Sequence, residues 1–139
     1  MSTLATQETD LPIGPFVDGL TPDYRQEEAR CLLSLFETIT GTSAKVWGDY
    51  FIIGFDNYEY QRKNSKDWFK WFKVGFAVRP NRITLYLTTD LDAFSDELEL
   101  LGPHTRGRGC LYIKKLALVD MAIVESLIKK ALKQYEKSS

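Results

Sequence analysis

The sequence predicts an α+β domain in which an antiparallel β-sheet of five to six strands has helices packed on it. Two segments with helical apolar spacing, 21–40 and 120–135, lie near the two ends of the chain. Between them, short apolar segments follow one another with turn residues between them and only one further helical segment. A run of strands without alternating helices favours an antiparallel sheet over a parallel one.

Length and charge balance limit the function classes. The chain has 139 residues, of which 44% are hydrophobic, so it is long enough for one domain with a real core. Because 18 Lys and Arg face 19 Asp and Glu, we expect neither a nucleic-acid partner nor a polybasic membrane contact. No stretch longer than seven residues lacks Asp, Glu, Lys or Arg, which is too short to cross a bilayer. The N-terminus has no basic start and no apolar run, so we expect a cytoplasmic protein.

The first 44 residues predict an arm followed by a helix. Residues 1–20 lack any period and are interpreted as a flexible arm whose Leu11, Ile13 and Phe16 pack against the body of the protein. The single domain is expected over 21–139. In the helix, Thr21 is the expected N-cap, Pro22 the first helical residue and Gly41 the C-terminal stop. The expected buried stripe consists of Tyr24, Glu28, Cys31, Leu32, Leu35, Phe36 and Ile39.

The middle of the chain predicts a β-meander. Alternating or apolar segments rich in β-forming residues mark strands at 46–47, 50–55, 58–60, 72–78 and 83–88. The polar segment 61–67 predicts a hairpin loop, and Pro80 with Asn81 predicts a tight turn. After these strands we expect a helix from Asp90 to Leu101, a Gly-rich loop over 104–109, a strand over 110–114 and a final helix capped by Asp120. The expected buried stripe of this last helix consists of Val124, Leu127, Ile128, Ala131, Leu132 and Tyr135.

Several ordered strings resemble a known family. They include Trp47-Gly48, Ile53-Gly54-Phe55, Tyr58-Glu59-Tyr60, 75–79 and 84–86, and above all Gly109-Cys110-Leu111-Tyr112-Ile113-Lys114. Together they resemble the YdhG-like family, an α+β domain of bacterial proteins, over residues 44–133. The resemblance implies a helix-flanked antiparallel sheet, and a frataxin-like iron-chaperone role has been proposed for some members.

Aromatic residues with polar tips are the first candidate for a ligand site. Tyr58 and Tyr60 share one face of a strand, as do Cys110, Tyr112 and Lys114. If those faces meet, they form an apolar cleft with converging hydroxyl groups, as small-ligand sites commonly have. The alternative is that most of these rings are simply core. The candidate cleft residues are Trp47, Tyr58, Tyr60, Arg79, Tyr86, Tyr112 and Lys114.

The loop from His104 to Gly109 is the second candidate. Alternating glycines allow successive backbone N–H groups to point at one anion if Gly107 and Gly109 take positive φ, and Arg106 and Arg108 add bidentate donors. The alternative is an exposed connection with solvated charges. His104 is the one histidine of the chain and has no second His or Cys at metal-ligand spacing, so a structural or surface role is favoured. The alternative is a contact with Cys110, six residues on, as nucleophilic catalysis would need. Both Cys110 and Cys31 are expected to be buried and inert.

Two further patterns have competing interpretations. Residues 66–73 interleave Lys with aromatic rings, which suits single-stranded nucleic acid, a protein contact or simply a β-hairpin arm, and the hairpin arm is favoured. Asp23, Glu27 and Glu28 near the start of the first helix are the carboxylates that iron would use, although an acidic first turn is also ordinary helix capping.

The function predicted from these patterns is that of a non-enzymatic binding module. It holds a small polar or anionic ligand, or a protein partner, in a sheet cleft, as a monomer or a weak homodimer. The alternative is an intracellular iron chaperone, which rests on the resemblance, and iron is the one cofactor that the prediction includes. No acid–base pair or activated nucleophile is found, so we expect no catalytic residue.

Overall fold

The computed structural model describes residues 9, 11–47, 52–61, 66 and 68–136 of the 139-residue chain. Several predicted features lie outside these residues. They are the arm over 1–8 and at 10, the turn at 48–49, the start of the strand predicted at 50, most of the loop 61–67, and the side chain of Tyr135 at the end of the last stripe.

The described residues form an antiparallel sheet of six strands and a separate sheet of two. The six-stranded sheet has the order β1-β2-β5-β6-β8-β7, and β3 pairs only with β4. Every pairing is antiparallel, which confirms the α+β class. The strands are β1 (Ala44–Trp47), β2 (Ile52–Phe55), β3 (Tyr58–Gln61), β4 (Trp68–Trp71), β5 (Val74–Arg79), β6 (Arg82–Tyr86), β7 (Thr105–Arg106) and β8 (Cys110–Ile113).

The two-stranded sheet is a hairpin inserted between β2 and β5, and we call it the hairpin arm (β3 and β4). Tyr58 lies opposite Trp71, and Gln61 lies opposite Trp68. The prediction placed 58–60 in the main meander and did not give 68–71 as a strand. Alternation shows that a strand has two unlike faces, but it does not show which partner its backbone pairs with.

Four α-helices and the sheet enclose the main core. The helices are α1 (Ile13–Asp18), α2 (Asp23–Thr40), α3 (Ser95–Leu101) and α4 (Met121–Glu136). Helices α2 and α4 contact β5 and each other, so they cover the centre of one sheet face. Alternate strand residues point at them and are fully buried, among them Ile53, Phe55, Val74, Phe76, Val78, Ile83, Leu85, Leu111 and Ile113.

The segment predicted as a flexible arm contains helix α1. Val17 is 3% exposed and joins the main core, while Ile13 and Phe16 pack against that core as expected. Leu11, expected to do the same, is exposed. Val17 and Leu20 bury apolar surface against the rest of the domain, and this packing stabilises the helix. A pattern within residues 1–20 does not show such a contact with distant residues.

Helix α2 begins one residue later than predicted, and its buried stripe shares Leu32 and Phe36 with the predicted one, whereas Tyr24 is exposed. Its N-cap is Pro22 instead of Thr21, whereas Gly41 ends it in the left-handed conformation as predicted. The buried residues are Arg25, Ala29, Leu32 and Phe36. Cys31 is exposed, so the prediction that it is buried was wrong. The buried face is therefore rotated from the predicted one by about one residue.

The C-terminal half follows most of the prediction, although the helix predicted from Asp90 to Leu101 consists of a 3-10 turn, Leu91–Phe94, followed by α3. Gly102 has a φ of 117° directly after α3, and the carboxylate of Asp120 accepts from the Ala122 N–H at the start of α4. The described members of the predicted α4 stripe are all buried or half-buried. Residues 104–109 include the short strand β7 as well as a loop. Among the described residues, no helix combines the length and apolarity that crossing a bilayer needs.

Candidate functional site

The sheet face that points away from the helices holds several of the predicted ligand residues, and we call it the open face. Strand register puts Arg79 directly opposite Arg82, Thr84 opposite Tyr112, and Tyr86 opposite Cys110. Since their strand neighbours point into the main core, these residues share the open face. Thr105, opposite Tyr112, also lies there, whereas Arg106 is opposite the core residue Leu111 and belongs to the other face.

One half of the open face is closed by an aromatic cluster. Trp47, Ile52 and Phe72 are buried together, with Trp71 and Tyr86 packed against them. The Trp47 ring lies 5.5 Å from the Phe72 ring and 6.1 Å from the Trp71 ring. Trp47 is fully buried and offers a ligand no surface, so its predicted place in a cleft was wrong. Its ring fills the gap between the sheet and the hairpin arm.

The hairpin arm holds the two other predicted tyrosines. The Tyr58 and Tyr60 rings lie 5.8 Å apart, on the same side of the arm as Trp71. Trp68 points the other way and is 64% exposed, while Trp71 packs into the aromatic cluster. The favoured interpretation of residues 66–73, a hairpin arm whose rings partly fill a core, agrees with this arrangement. Tyr58 and Tyr60 therefore lie on a different element from Tyr112.

The other half of the open face ends in a groove of about 380 Å³, which we call the anion groove. Three chain segments form it: the tight turn between β5 and β6, the loop before β7, and the end of β8. The turn is short because Pro80 and Asn81 occupy its two central positions, as predicted. The groove is lined by Asn81, Arg82, Pro103, His104, Thr105, Tyr112, Ile113 and Lys114.

Positive charge dominates this groove. The guanidinium of Arg82 lies 4.4 Å from the centre of the Tyr112 ring, which holds it in place by a cation–π contact. On one side of β6, Arg79 of β5 lies opposite Arg82. On the other side, the β6–β8 register pairs Ile83 with Ile113, and one residue further along it Lys114 lies beside Arg82. None of the eight lining residues is acidic. Within the described part of the chain, neither Arg82 nor Lys114 pairs with a carboxylate.

His104 is fixed beside this charge. Its Nδ1 lies 2.7 Å from the carbonyl oxygen of Gly102. Because a carbonyl oxygen only accepts, Nδ1 carries the hydrogen and Nε2 remains for another contact. The residue therefore offers the groove its Nε2 atom as a further polar contact.

The Gly-rich loop does not form the predicted anion nest. Arg106 donates to the carboxylate of Asp92 at 2.7 Å, so it already has a partner. The Gly107 N–H donates to the Cys110 carbonyl at 2.9 Å. Neither Gly107 nor Gly109 takes positive φ, which the nest needed. The loop instead closes a tight turn into β8, while the Arg108 side chain is exposed.

The structure thus brings together a subset of the predicted residues. His104, Tyr112 and Lys114 line the anion groove, with Arg79 beside it, while Tyr86 lies further along the open face. Prediction missed Arg82, the most central cation. The tight turn at Pro80 and Asn81 was a sufficient signal, because a two-residue turn makes its flanking residues, 79 and 82, direct partners on one face.

Tyr86 and Cys110 are cross-strand neighbours in the half-buried middle of the open face. Burial raises the pKa of the Tyr86 hydroxyl, and the nearby Cys110 thiolate raises it further. Burial likewise raises the pKa of the Cys110 thiol, although a hydrogen bond with Tyr112 opposes this effect. A raised thiol pKa is the opposite of what an activated nucleophile needs. Cys110 is half-buried, against a prediction of full burial.

The three candidate iron ligands do not gather. Glu28 bonds to Arg25 and to the backbone N–H of Leu116, and Glu27 pairs with Arg30 at 2.7 Å. Asp23 is exposed at the start of α2. Over the described residues there is no group of three or more His, Cys, Asp or Glu side chains that could hold a metal ion.

Comparison with known proteins adds no identification, because no family model, curated protein or solved structure matches this chain. The resemblance to the YdhG-like family and the iron-chaperone role that it implies therefore stay predictions. The geometry of the open face is the basis on which a function can be argued.

Proposed function

We propose that this domain is a binding module that holds a small anionic ligand in the anion groove. The observation that carries the proposal is the set of cations, Arg82 and Lys114 with Arg79 beside them, around a cavity whose lining contains no acid. Phosphate and carboxylate groups are the ligands that such side chains bind best, since charged hydrogen bonds are about twice as strong as neutral ones. The groove of about 380 Å³ suits a small molecule.

Two features of the groove support binding over a merely solvated surface. Like charges on neighbouring strand residues repel, so Arg82 and Lys114 gain when an anion lies between or beside them. In addition, the Tyr112 ring orients the Arg82 guanidinium before any ligand arrives, which lowers the entropy cost of binding. The arrangement supports recognition and supplies no nucleophile, so the proposed role is non-enzymatic.

Titration with inorganic phosphate at constant ionic strength tests the proposal. We expect a saturable signal in calorimetry and a rise in melting temperature, worth about 2.7 kcal/mol of stability when phosphate reaches a hundred times its Kd. Arg82→Gln and Lys114→Gln each remove one charged donor, so each is expected to weaken binding by roughly tenfold.

A double Arg106→Gln, Arg108→Gln variant is the matched control, because it removes two arginines next to the groove that do not line it. Phosphate affinity is expected to stay within about twofold of the native value. A native protein whose melting temperature ignores phosphate would refute the groove as a site. Loss of binding in the loop variant alone would move the site to residues 104–109.

A further inference from the structure

Among the residues that the structure describes, one arginine is buried. Arg25, on α2, is 1% exposed, and it lies on the same face of the helix as the core residues Ala29 and Leu32. Its Nη1 donates to Oε1 of Glu28 at 2.6 Å, while its Nε donates to the Pro80 carbonyl at 3.3 Å. A buried charge is costly unless it is paired and hydrogen-bonded, and here both conditions are met.

The second oxygen of Glu28 leads to another part of the chain. Glu28 Oε2 accepts from the backbone N–H of Leu116 at 2.8 Å. The Arg25–Glu28 pair therefore holds two backbone points at once, the Pro80 carbonyl and the Leu116 amide, which lie 55 and 88 residues away in sequence from the side chains that bind them.

These two backbone points flank the anion groove. Pro80 is in the turn that leads to Arg82, two residues later, and Leu116 follows Lys114 by two residues. The β6–β8 pairing already places Arg82 beside Lys114, and the links to α2 hold the two segments where that pairing ends, before Arg82 and after Lys114. A rigid link through one ion pair fixes both segments relative to the same helix.

We infer that Arg25 and Glu28 are positioning residues for the anion groove. They act through the backbone of Pro80 and Leu116, and they hold in place the two segments that carry Arg82 and Lys114 without touching the ligand. The inference rests on the proposed function, since it assumes that the groove binds an anion.

A gain in stability alone does not explain why the protein buries the Arg25–Glu28 ion pair. Replacing a buried ion pair by apolar side chains of similar size is often neutral or stabilising, because the desolvation cost disappears together with the attraction. What apolar replacements cannot supply is a donor for the Pro80 carbonyl and an acceptor for the Leu116 amide. The specific consequence of losing the pair is therefore looser attachment of the two segments.

The double variant Arg25→Met, Glu28→Met separates positioning of the groove segments from stabilisation of the fold in the full-length protein. We expect it to stay folded, with phosphate binding weakened by about fivefold or more in calorimetry at a temperature well below its melting point. Amide hydrogen exchange at Leu116 is expected to accelerate at least tenfold. Arg25→Lys is a second variant, because lysine keeps the charge but lacks the fork that reaches both acceptors, and it is expected to weaken binding in the same direction.

Leu127→Ala is the matched control, since Leu127 lies in the core on α4 and the substitution lowers stability without touching either segment. Its phosphate affinity is expected to equal that of the native protein. Unchanged affinity in both Arg25 variants, or an equal loss in Leu127→Ala, overturns the positioning role while native binding still stands. Absence of phosphate binding by the native protein overturns the proposed function, and the positioning role with it.

Discussion

Gly54 and Gly75 are direct cross-strand partners in β2 and β5, and their missing side chains leave the space that the rings of Trp47 and Phe72 occupy. A Cβ on Gly54 would lie 2.7 Å from Trp47 Nε1 and 2.7 Å from the Phe72 Cβ. A Cβ on Gly75 would lie 2.6 Å from the Ile53 carbonyl oxygen. A side chain at either position would therefore collide with the aromatic cluster or with the backbone of β2.

Alanine at either glycine is expected to destabilise the protein. The added methyl group forces a backbone or a buried ring to move, which costs about 1–3 kcal/mol of unfolding free energy. Urea denaturation of Gly54→Ala and Gly75→Ala measures the loss. Gly14→Ala is the control, because no atom lies within 4 Å of its Cβ position in α1 and alanine favours a helix. A Gly75→Ala protein as stable as the native one would contradict the close contact.

Trp47 has a buried indole N–H that meets no acceptor in the described residues. Trp47→Phe removes this unsatisfied donor, whose burial costs about 1–3 kcal/mol, and at the same time loses packing volume. We therefore expect the two effects to offset, with a net change within about 1 kcal/mol. Denaturation of Trp47→Phe beside Phe72→Leu tests this, since the second variant loses packing volume without any such relief. Equal losses in both would indicate that the indole N–H has a partner.

The two cysteines are expected to react at very different rates. Cys31 is exposed on α2, whereas Cys110 is half-buried and burial raises the pKa of its thiol. Because the thiolate is the reactive form, an aromatic disulfide reagent should label Cys31 at least about tenfold faster than Cys110. Cys31→Ser should abolish the fast phase and Cys110→Ser the slow one. Two thiols reacting in a single fast phase would show that the open face is more accessible than described.

Glu97 is expected to make stability depend on pH in the acid range. A hydrogen bond from Lys130 and a second from Ser126 at 2.7 Å lower the pKa of its carboxyl group. Because the folded state then binds the proton less tightly than the unfolded state, this stabilisation is present above the ordinary carboxyl pKa. It is lost as the pH falls through the lowered value.

Glu97→Gln should therefore reduce stability near pH 7 by about 1 kcal/mol or less and flatten the acid side of the stability curve. Melting temperatures between about pH 3 and pH 7 measure both effects. The control is Glu99→Gln. Glu99 is exposed, and in the described residues it pairs with neither Ser126 nor Lys130, the two partners of Glu97. Parallel curves for Glu97→Gln and the native protein would contradict the assignment.

Local sequence determined the parts of this protein in which neighbours along the chain decide the outcome. Gly41 ends α2 because it alone there takes a left-handed φ without strain, and Asp120 caps α4 because its carboxylate reaches the Ala122 N–H two residues on. Alternation in β5, β6 and β8 identified the core-facing residues. The same alternation put Arg79, Tyr86, Tyr112 and Lys114 on one side of their strands.

Tertiary structure alone decided which faces meet. Arg25 is buried and Cys31 exposed, the reverse of what their polarity suggests, because acceptors at Pro80 and on Glu28 satisfy the guanidinium inside the protein. The first of these acceptors lies 55 residues away in sequence, beyond any local pattern. For the same reason, spacing along the chain suggested a paired Arg106 and Arg108 site. The distant Asp92 instead takes Arg106, and the contact between Arg82 and Tyr112 creates the groove.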